Sequence, residues 1–364
     1  MLLVALGLVV LLASWLNRGP SKSERMTIDE LTTNMKTVCL GRYLIDIPQF
    51  FEHDSKADAA GNRFMPPDMD FQDAPHMSLA FDGRKNQSLE DFRRDMQIML
   101  TSRQVINYSN KARPEYQEVE FGEKISETVF MFRNKRKGFG KNLPSRNIEI
   151  RFWLEGQTVI ASAAAYQADD QAMTLEHLKK FVQSIKLYDP QKANQQGFCA
   201  GPLLIQGRYS QEEFFAHFWS EERPDLLMNM VVITNGSGRG SSLMERANDP
   251  KNLLNIFDIG YSTLRKGKLQ VAGMAAQELG VRFSGPDSDG NKRIEHKLML
   301  EVDLSPTSGT LNSQIDLNLS TGMQGFREGT PTYGKIFSSS LSDEEVVGVW
   351  DAIVKSIRPR PGAF

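Results

Sequence analysis

"KKFVQSIKLYDP", residues 179–190, is answered near the other end of the chain by "DAIVKSIRPRPG", residues 351–362. Val182, Ser184, Ile185 and Lys186 match Val354, Ser356, Ile357 and Arg358, and a proline follows each copy, Pro190 and Pro359. Both copies close a helical pattern. Leu175, Leu178, Phe181, Val182 and Ile185 recur at helical spacing in the first, and Val346, Val349, Trp350, Ile353 and Ile357 in the second. Ser342 and Glu345 make a capping box ahead of the second helix. The residue before a proline is pushed out of helical backbone, so the helices end there.

Two earlier matches keep the same order. "TVCLGRYLIDIP" (37–48) and "GFCAGPLLIQGRY" (197–209) each set a cysteine beside an apolar strand, and "GEKISETVFMF" (122–132) and "GMAAQELGVRF" (273–283) share G-x4-E-x4-F. The offsets are 160 residues (Cys39 to Cys199), 151 (Gly122 to Gly273) and 172 (Val182 to Val354). They drift as loop insertions require, and predict a duplicated globular unit rather than a solenoid. The polar stretch "YDPQKANQQG", 188–197, lacks apolar periodicity and reads as the linker. The chain therefore divides into a leading segment 1–25, an N-terminal domain 26–188, a linker 189–197 and a C-terminal domain 198–364.

In the first domain, patterns predict strands at 37–47, 77–81, 116–121, 125–132, 146–154 and 157–165, helices at 88–103 and 170–187, and a long loop at 52–75. In the second they predict strands at 201–207, 212–219, 225–234, 268–273, 276–283, 291–302 and 312–320, and helices at 249–264 and 342–357. Sequential antiparallel strands with segregated helices make an α+β class: two tandem, similar domains, each an antiparallel sheet with helices packed on one face.

The chain has 364 residues, 40% of them hydrophobic, enough for a core in each domain, and a net charge of −2 that gives nucleic acid no electrostatic foothold. Two cysteines, Cys39 and Cys199, exclude a disulfide framework and a cysteine-rich zinc site. In an exported protein they could bridge the domains. Their equivalent positions favour two separate buried thiols, one in each core. Residues 1–16, MLLVALGLVVLLASWL, are uncharged. As a helix they reach about 24 Å, short of a ~30 Å hydrocarbon core, so they read as an export signal or a marginal inner-membrane tether.

Nothing assembles into a catalytic or metal-binding set, and no cofactor is expected. The five histidines, His53, His76, His177, His217 and His296, have no zinc spacing among them. "VVITNGSGRGSSLMER" (231–246) runs from a strand into a Gly-rich loop, but Ser241 stands where a dinucleotide fingerprint needs its third glycine, and Asn235 breaks a nucleophile elbow around Ser237. It reads as a surface loop suited to protein contact, with Arg239 at its centre. "RNKRKGFGK" (133–141) gathers Arg133, Lys135, Arg136, Lys137 and Lys141. That hairpin is either simply solvated or an electrostatic contact for an acidic partner or anionic headgroups.

"TVCLGRYLIDIP", "GFCAGPLLI", "LRKGKLQVAGMAAQE" (264–278) and "IVKSIRP" (353–359) together resemble the type VI secretion lipase-immunity proteins, over about residues 26–358. The resemblance implies a periplasmic protein with N- and C-terminal immunity domains that binds a phospholipase effector one-to-one and blocks its active site or lid. It carries no catalytic residues. One departure is Ala275-Ala276-Gln277 after "VAGM", where the family has a Gly-Glu-Glu-like turn; Glu278 is kept in type. Arg133, Lys135, Arg136, Lys137 and Arg239 are the candidate partner contacts. The competing readings are an exported hydrolase with a site at the inter-domain cleft and an envelope lipid-binding module.

Overall fold

The computed structural model describes residues 19–53, 62–66, 76–81, 86–107, 115–135, 146–166, 170–192, 194–236, 238, 240–249, 260–286, 290–302, 313–325 and 330–364. In chain order the elements are α1 (Lys22–Thr33), β1 (Met35–Leu40), β2 (Tyr43–Pro48), β3 (Glu52–His53), β4 (Arg63–Met65), β5 (Met77–Phe81), α2 (Leu89–Ser102), β6 (Gln104–Asn107), β7 (Glu115–Ser126), β8 (Val129–Lys135), β9 (Arg146–Leu154), β10 (Gln157–Ala165), α3 (Asp170–Ser184) and β11 (Ile185–Leu187). There follow β12 (Phe198–Ala200), β13 (Leu203–Ile205), β14 (Gln211–Trp219), β15 (Leu227–Thr234), α4 (Leu243–Asn248), β16 (Gly260–Val271), β17 (Met274–Pro286), β18 (Lys292–Val302), β19 (Ser313–Thr321), α5 (Asp343–Ser356) and β20 (Arg358–Pro359). The architecture is mostly antiparallel sheet with few helices.

Where the sequence predicts a sheet in each half, the structure joins the halves edge to edge. One 14-stranded sheet runs β16-β17-β18-β19-β15-β14-β4-β5-β10-β9-β8-β7-β6, with β3 paired to β14 off that path. The seam is β14 against β4, Glu212 facing Phe64. One buried cluster spans it, holding Phe64, Leu79, Ile150 and Phe181 from the first half and Phe214, Val232, Leu317 and Trp350 from the second. Helices α3 and α5 share that face, whereas α2 and α4 lie on the other. Phe92, Met96 and Met99 of α2 bury against Phe130 and Phe132, which alternate along β8 with Met131 of the main core. Leu243 of α4 packs on Leu279 and Val281, out of phase with Met274 and Ala276. Helices on one face only was thus the wrong expectation. A strand such as "VFMF" is apolar on both sides and needs cover on both.

The repeated serine now has a local explanation. Ser184 Oγ donates to Phe181 O and Ser356 Oγ to Ile353 O, each at 2.6 Å, at the last residue of a helix that turns into a strand. Helices 170–187 and 342–357 therefore end earlier than predicted, at Ser184 and Ser356: residues 185–187 form β11, and β20 starts at Arg358, after the cap residue Ile357. Those strands cross over. β11 pairs with β13, and β20 pairs with β2, giving the small sheets β11-β13-β12 and β1-β2-β20. Lys186 faces Leu204 and Arg358 faces Leu44. The registers differ by 160 residues on the hairpin side and 172 on the strand side, the offsets of the first and third sequence matches. The middle match does not correspond, because Gly122 lies inside β7 while Gly273 occupies the β16–β17 turn with φ +79.

The predicted strand 37–47 is a hairpin, β1–β2, and the predicted strand 201–207 supplies only β13, the second arm of a hairpin whose first arm, β12, precedes it. Gly41 turns the first at φ +61, and a Cβ there would lie 2.9 Å from Val232 Cγ1. Helix α1, unassigned from sequence, is capped reciprocally by Ser21 and Glu24. It docks on α5 where Gly348 has no side chain; a Cβ there would lie 2.5 Å from Ile28 Cδ1. Ser342, the cap of α5, donates to Glu24 Oε1 at 2.8 Å, joining the two helix starts. Of the predicted helix 249–264, residues 250–259 lie outside the described residues and 260–264 belong to β16. Residues 1–16 also lie outside them.

Candidate partner-binding surface

The sheet register decides which loops can act together. Thr234 at the end of β15 faces Glu212, Glu212 faces Phe64, and Phe64 faces Met77. Met77 faces Ala163, Ala163 faces Ile148, and Ile148 faces Arg133 near the end of β8. The Gly-rich segment after Thr234 and the basic segment after Lys135 therefore leave the sheet at the same end. Six strand steps at ~4.8 Å put their roots about 29 Å apart. Arg136, Lys137, Lys141, Ser237 and Arg239 lie outside the described residues. Lys135 closes β8, its backbone facing Arg146.

Arg133 is the one candidate contact whose side chain is defined. Its Nη1 donates to Gln171 Oε1 at 3.2 Å, and its guanidinium lies over the Phe121 ring at 5.7 Å. Glu120 Oε2 is 3.9 Å from its Nε and also holds Arg146. Phe121 is 44% exposed although it faces Arg133 on the core side of the sheet, because α3 packs mainly over β9 and β10. Tyr166 and Met173, at the start of α3, are also exposed. Arginines stacked on partly exposed aromatics are the kind of side-chain pair that anchors one protein surface on another. Sequence reasoning missed Phe121, which its strand pattern marks as inward. Only the length of α3 relative to the sheet leaves it uncovered.

The polar cluster around His296 resembles a catalytic set in its residue types. His296 Nε2 lies 2.9 Å from Asp343 Oδ1, and Nδ1 lies 2.8 Å from Thr321 Oγ1 and 3.1 Å from Ser339 Oγ. Ser339 Oγ donates to Leu341 O at 2.8 Å and accepts from Leu341 N, so its proton is committed to backbone and the hydroxyl is not poised as a nucleophile. The imidazole is buried, which lowers its pKa against the opposing pull of Asp343. The cluster pins residues 338–343 to β18, where Ser339 N donates to Ile294 O. Among the described residues no group of histidine, cysteine, aspartate and glutamate could hold a metal.

A second buried polar centre fixes the join between the halves. Arg42 Nε donates to Glu212 Oε2 at 2.8 Å, and Nη2 completes a two-pronged pair with Oε1. The same guanidinium donates to the carbonyls of Ala363, Gly197 and Gly207. Arg360 donates to Gln195 O and Gly197 O. The linker and the C-terminus thus lie against one another. Cys39 and Cys199 form a disulfide, Cα to Cα 5.7 Å. The expectation of two separate thiols fails because the strand exchange brings the equivalent hairpins together, and Gly41 and Cys199 bond backbone to backbone at the join.

Residues 193–362 match the family model for the C-terminal domain of the Tle cognate immunity protein 4. No curated protein sequence matches significantly. Solved structures match in fold over nearly the whole chain. One is the immunity protein TplEi of the type VI system from Pseudomonas aeruginosa in complex with an "L" peptide: 18% identity, 91% of this chain and 99% of that one, TM-score 0.59. Another is the apo form of TplEi from Pseudomonas aeruginosa: 19% identity, 90% and 98% coverage, TM-score 0.60. A third is the Tle4–Tli4 complex: 20% identity, 91% and 99% coverage, TM-score 0.60. The expected resemblance to the lipase-immunity family is thus met by sequence in the C-terminal half and by fold across the chain.

Proposed function

We propose that this chain, with a Tli4-type C-terminal domain and the overall fold of type VI immunity proteins, is itself an immunity protein that binds a phospholipase effector and blocks it by steric occlusion. The family-model match over 193–362 carries this reading. The Tle4–Tli4 complex supports an effector as the partner. The protein acts by shape, not by turnover; the committed proton of Ser339 is consistent with that. Its compartment is the periplasm, with residues 1–16 as export signal or inner-membrane tether. A disulfide favours an oxidising compartment, and among the described residues no helix is long and apolar enough to cross a membrane.

We read the architecture as two tandem copies of one α+β unit, 26–188 and 198–364, joined by 189–197 and fused into one sheet. The shared offsets of 160 and 172 residues in hairpin and terminal-strand registers support the duplication. The loop end of the sheet contacts the effector through Arg133, Phe121 and the basic 133–141 segment on one side and the Arg239 loop on the other. Two segments rooted about 29 Å apart on one sheet grip one partner more tightly than either alone.

The test is co-expression, in the periplasm, with a phospholipase effector encoded beside this protein. Survival with the protein and death without it, together with one-to-one co-purification, is the expected result. Equal killing in both cases refutes the reading.

A further inference from the structure

Each half lends its last strand to the other. β11 follows α3 yet completes the hairpin β12–β13, and β20 follows α5 yet completes β1–β2. The lent strands are short, three residues and two. The two small sheets meet where Gly41 and Cys199 exchange backbone hydrogen bonds at 2.9 and 2.7 Å. The Cys39–Cys199 disulfide crosses that join, spanning 160 residues of sequence. Both cysteines are buried, Cys199 at 0% and Cys39 at 6% exposure. Leu204 completes their cluster, and Leu44 and Tyr188 pack against it.

These facts order the events. An oxidant makes a disulfide through a mixed disulfide, so it must touch a protein sulfur. In the finished fold neither sulfur is open to attack. In the unfolded chain the two thiols are ends of a long loop and rarely meet. The route that fits both is closure between those states, after the hairpins have docked and before Leu44 and Tyr188 pack against the cysteine cluster.

We propose that oxidation of Cys39 and Cys199 is the last covalent step of assembly, catalysed by a protein thiol–disulfide oxidant, and that it locks the exchanged strands in place. One cysteine thiolate attacks the oxidant's disulfide, forming a mixed disulfide and releasing one oxidant thiolate. The second cysteine thiolate then displaces the other. The oxidant leaves as a dithiol, carrying both electrons and, on its two sulfurs, the two protons given up by the cysteine thiols. In a reducing compartment the step is missing and the exchanged segments stay labile; after export they are fixed.

Hydrogen-exchange mass spectrometry on the full chain tests this in three forms: oxidised, reduced in denaturant and refolded under reductant, and C39A/C199A. The oxidised native chain should resist dithiothreitol until denaturant is added. The other two forms should exchange at least about tenfold faster in 35–48, 185–187, 198–205 and 358–359 as one unit, with β9 and β10 unchanged. Failure of both to fold, with recovery of the wild type on reoxidation, is the same result in stronger form. Equal protection in all three forms, separate opening of the four segments, or ready reduction of the native chain would overturn the proposal.

Discussion

Replacing Arg42 by alanine should be among the most damaging single substitutions in this protein. The side chains of Arg42 and Glu212 are 5% and 1% exposed. Removing the guanidinium strands a carboxylate in the core and frees the carbonyls of Ala363 and Gly207. Breaking a buried pair from one side costs about 3–5 kcal/mol. Glu212→Ala should cost less, about 1.5–3 kcal/mol, the range of hydrogen bonds to charged groups, because the guanidinium keeps its carbonyl partners. The double variant R42M/E212L should recover at least half the loss of R42A, since an apolar pair of similar volume removes the stranded charge. The assay is urea unfolding at pH 7 with the disulfide intact, followed by tryptophan fluorescence and compared through midpoints at a common slope. A loss below about 1 kcal/mol for R42A, or a double variant worse than both singles, would refute the reasoning.

Phe121→Ala combined with Arg133→Ala should weaken binding to the cognate effector at least about tenfold, or 1.4 kcal/mol, and shift the unfolding midpoint little, because both side chains are partly exposed and outside the buried core; calorimetric titration and a melt decide it. His296 should make stability fall in mild acid. Its folded pKa lies below the ordinary 6.5, so the neutral imidazole's contribution is complete above 6.5 and is lost as pH falls from there toward the folded value. NMR titration of His296 and the flatter stability profile of His296→Gln check the sign. Gly348→Ala should loosen α1 from α5 and cost about 1–3 kcal/mol through overpacking, because three atoms of Ile28 lie within 3.0 Å of the new Cβ. Adding Ile28→Ala should restore most of it in a thermal melt.

Local pattern and turn chemistry were legible where neighbouring residues set the structure. Strands 146–154 and 157–165 lie as predicted, with Glu155 and Gly156 supplying the positive φ of their turn. Ser88 and Ser342 start their helices as read. The hairpin at Gly41 was hidden because "LGRY" lacks the Asn-Gly or Asp-Gly signal of a two-residue turn. The terminal strands were hidden because two or three residues hold no period to detect. The disulfide followed from neither pattern nor spacing. Equivalent cysteines sit in separate cores only when each half keeps its own strands, and here it does not. At the candidate surface the charge of Arg133 was legible, whereas its partner ring was not, since the exposure of Phe121 depends on how much of the sheet α3 covers.

The shared hydrogen bond between Ser342 and Glu24 sets a timetable. The chain is made from its N-terminus, so Glu24 exists long before the residue that must meet it, 318 positions later. The apolar side of α1, with Leu31 and Ile28, has no α5 to rest on during that interval. A segment made early is thus among the last to find its seat. Synthesis must carry the chain through that wait, and a pause late in the chain should be more hazardous than one early in it.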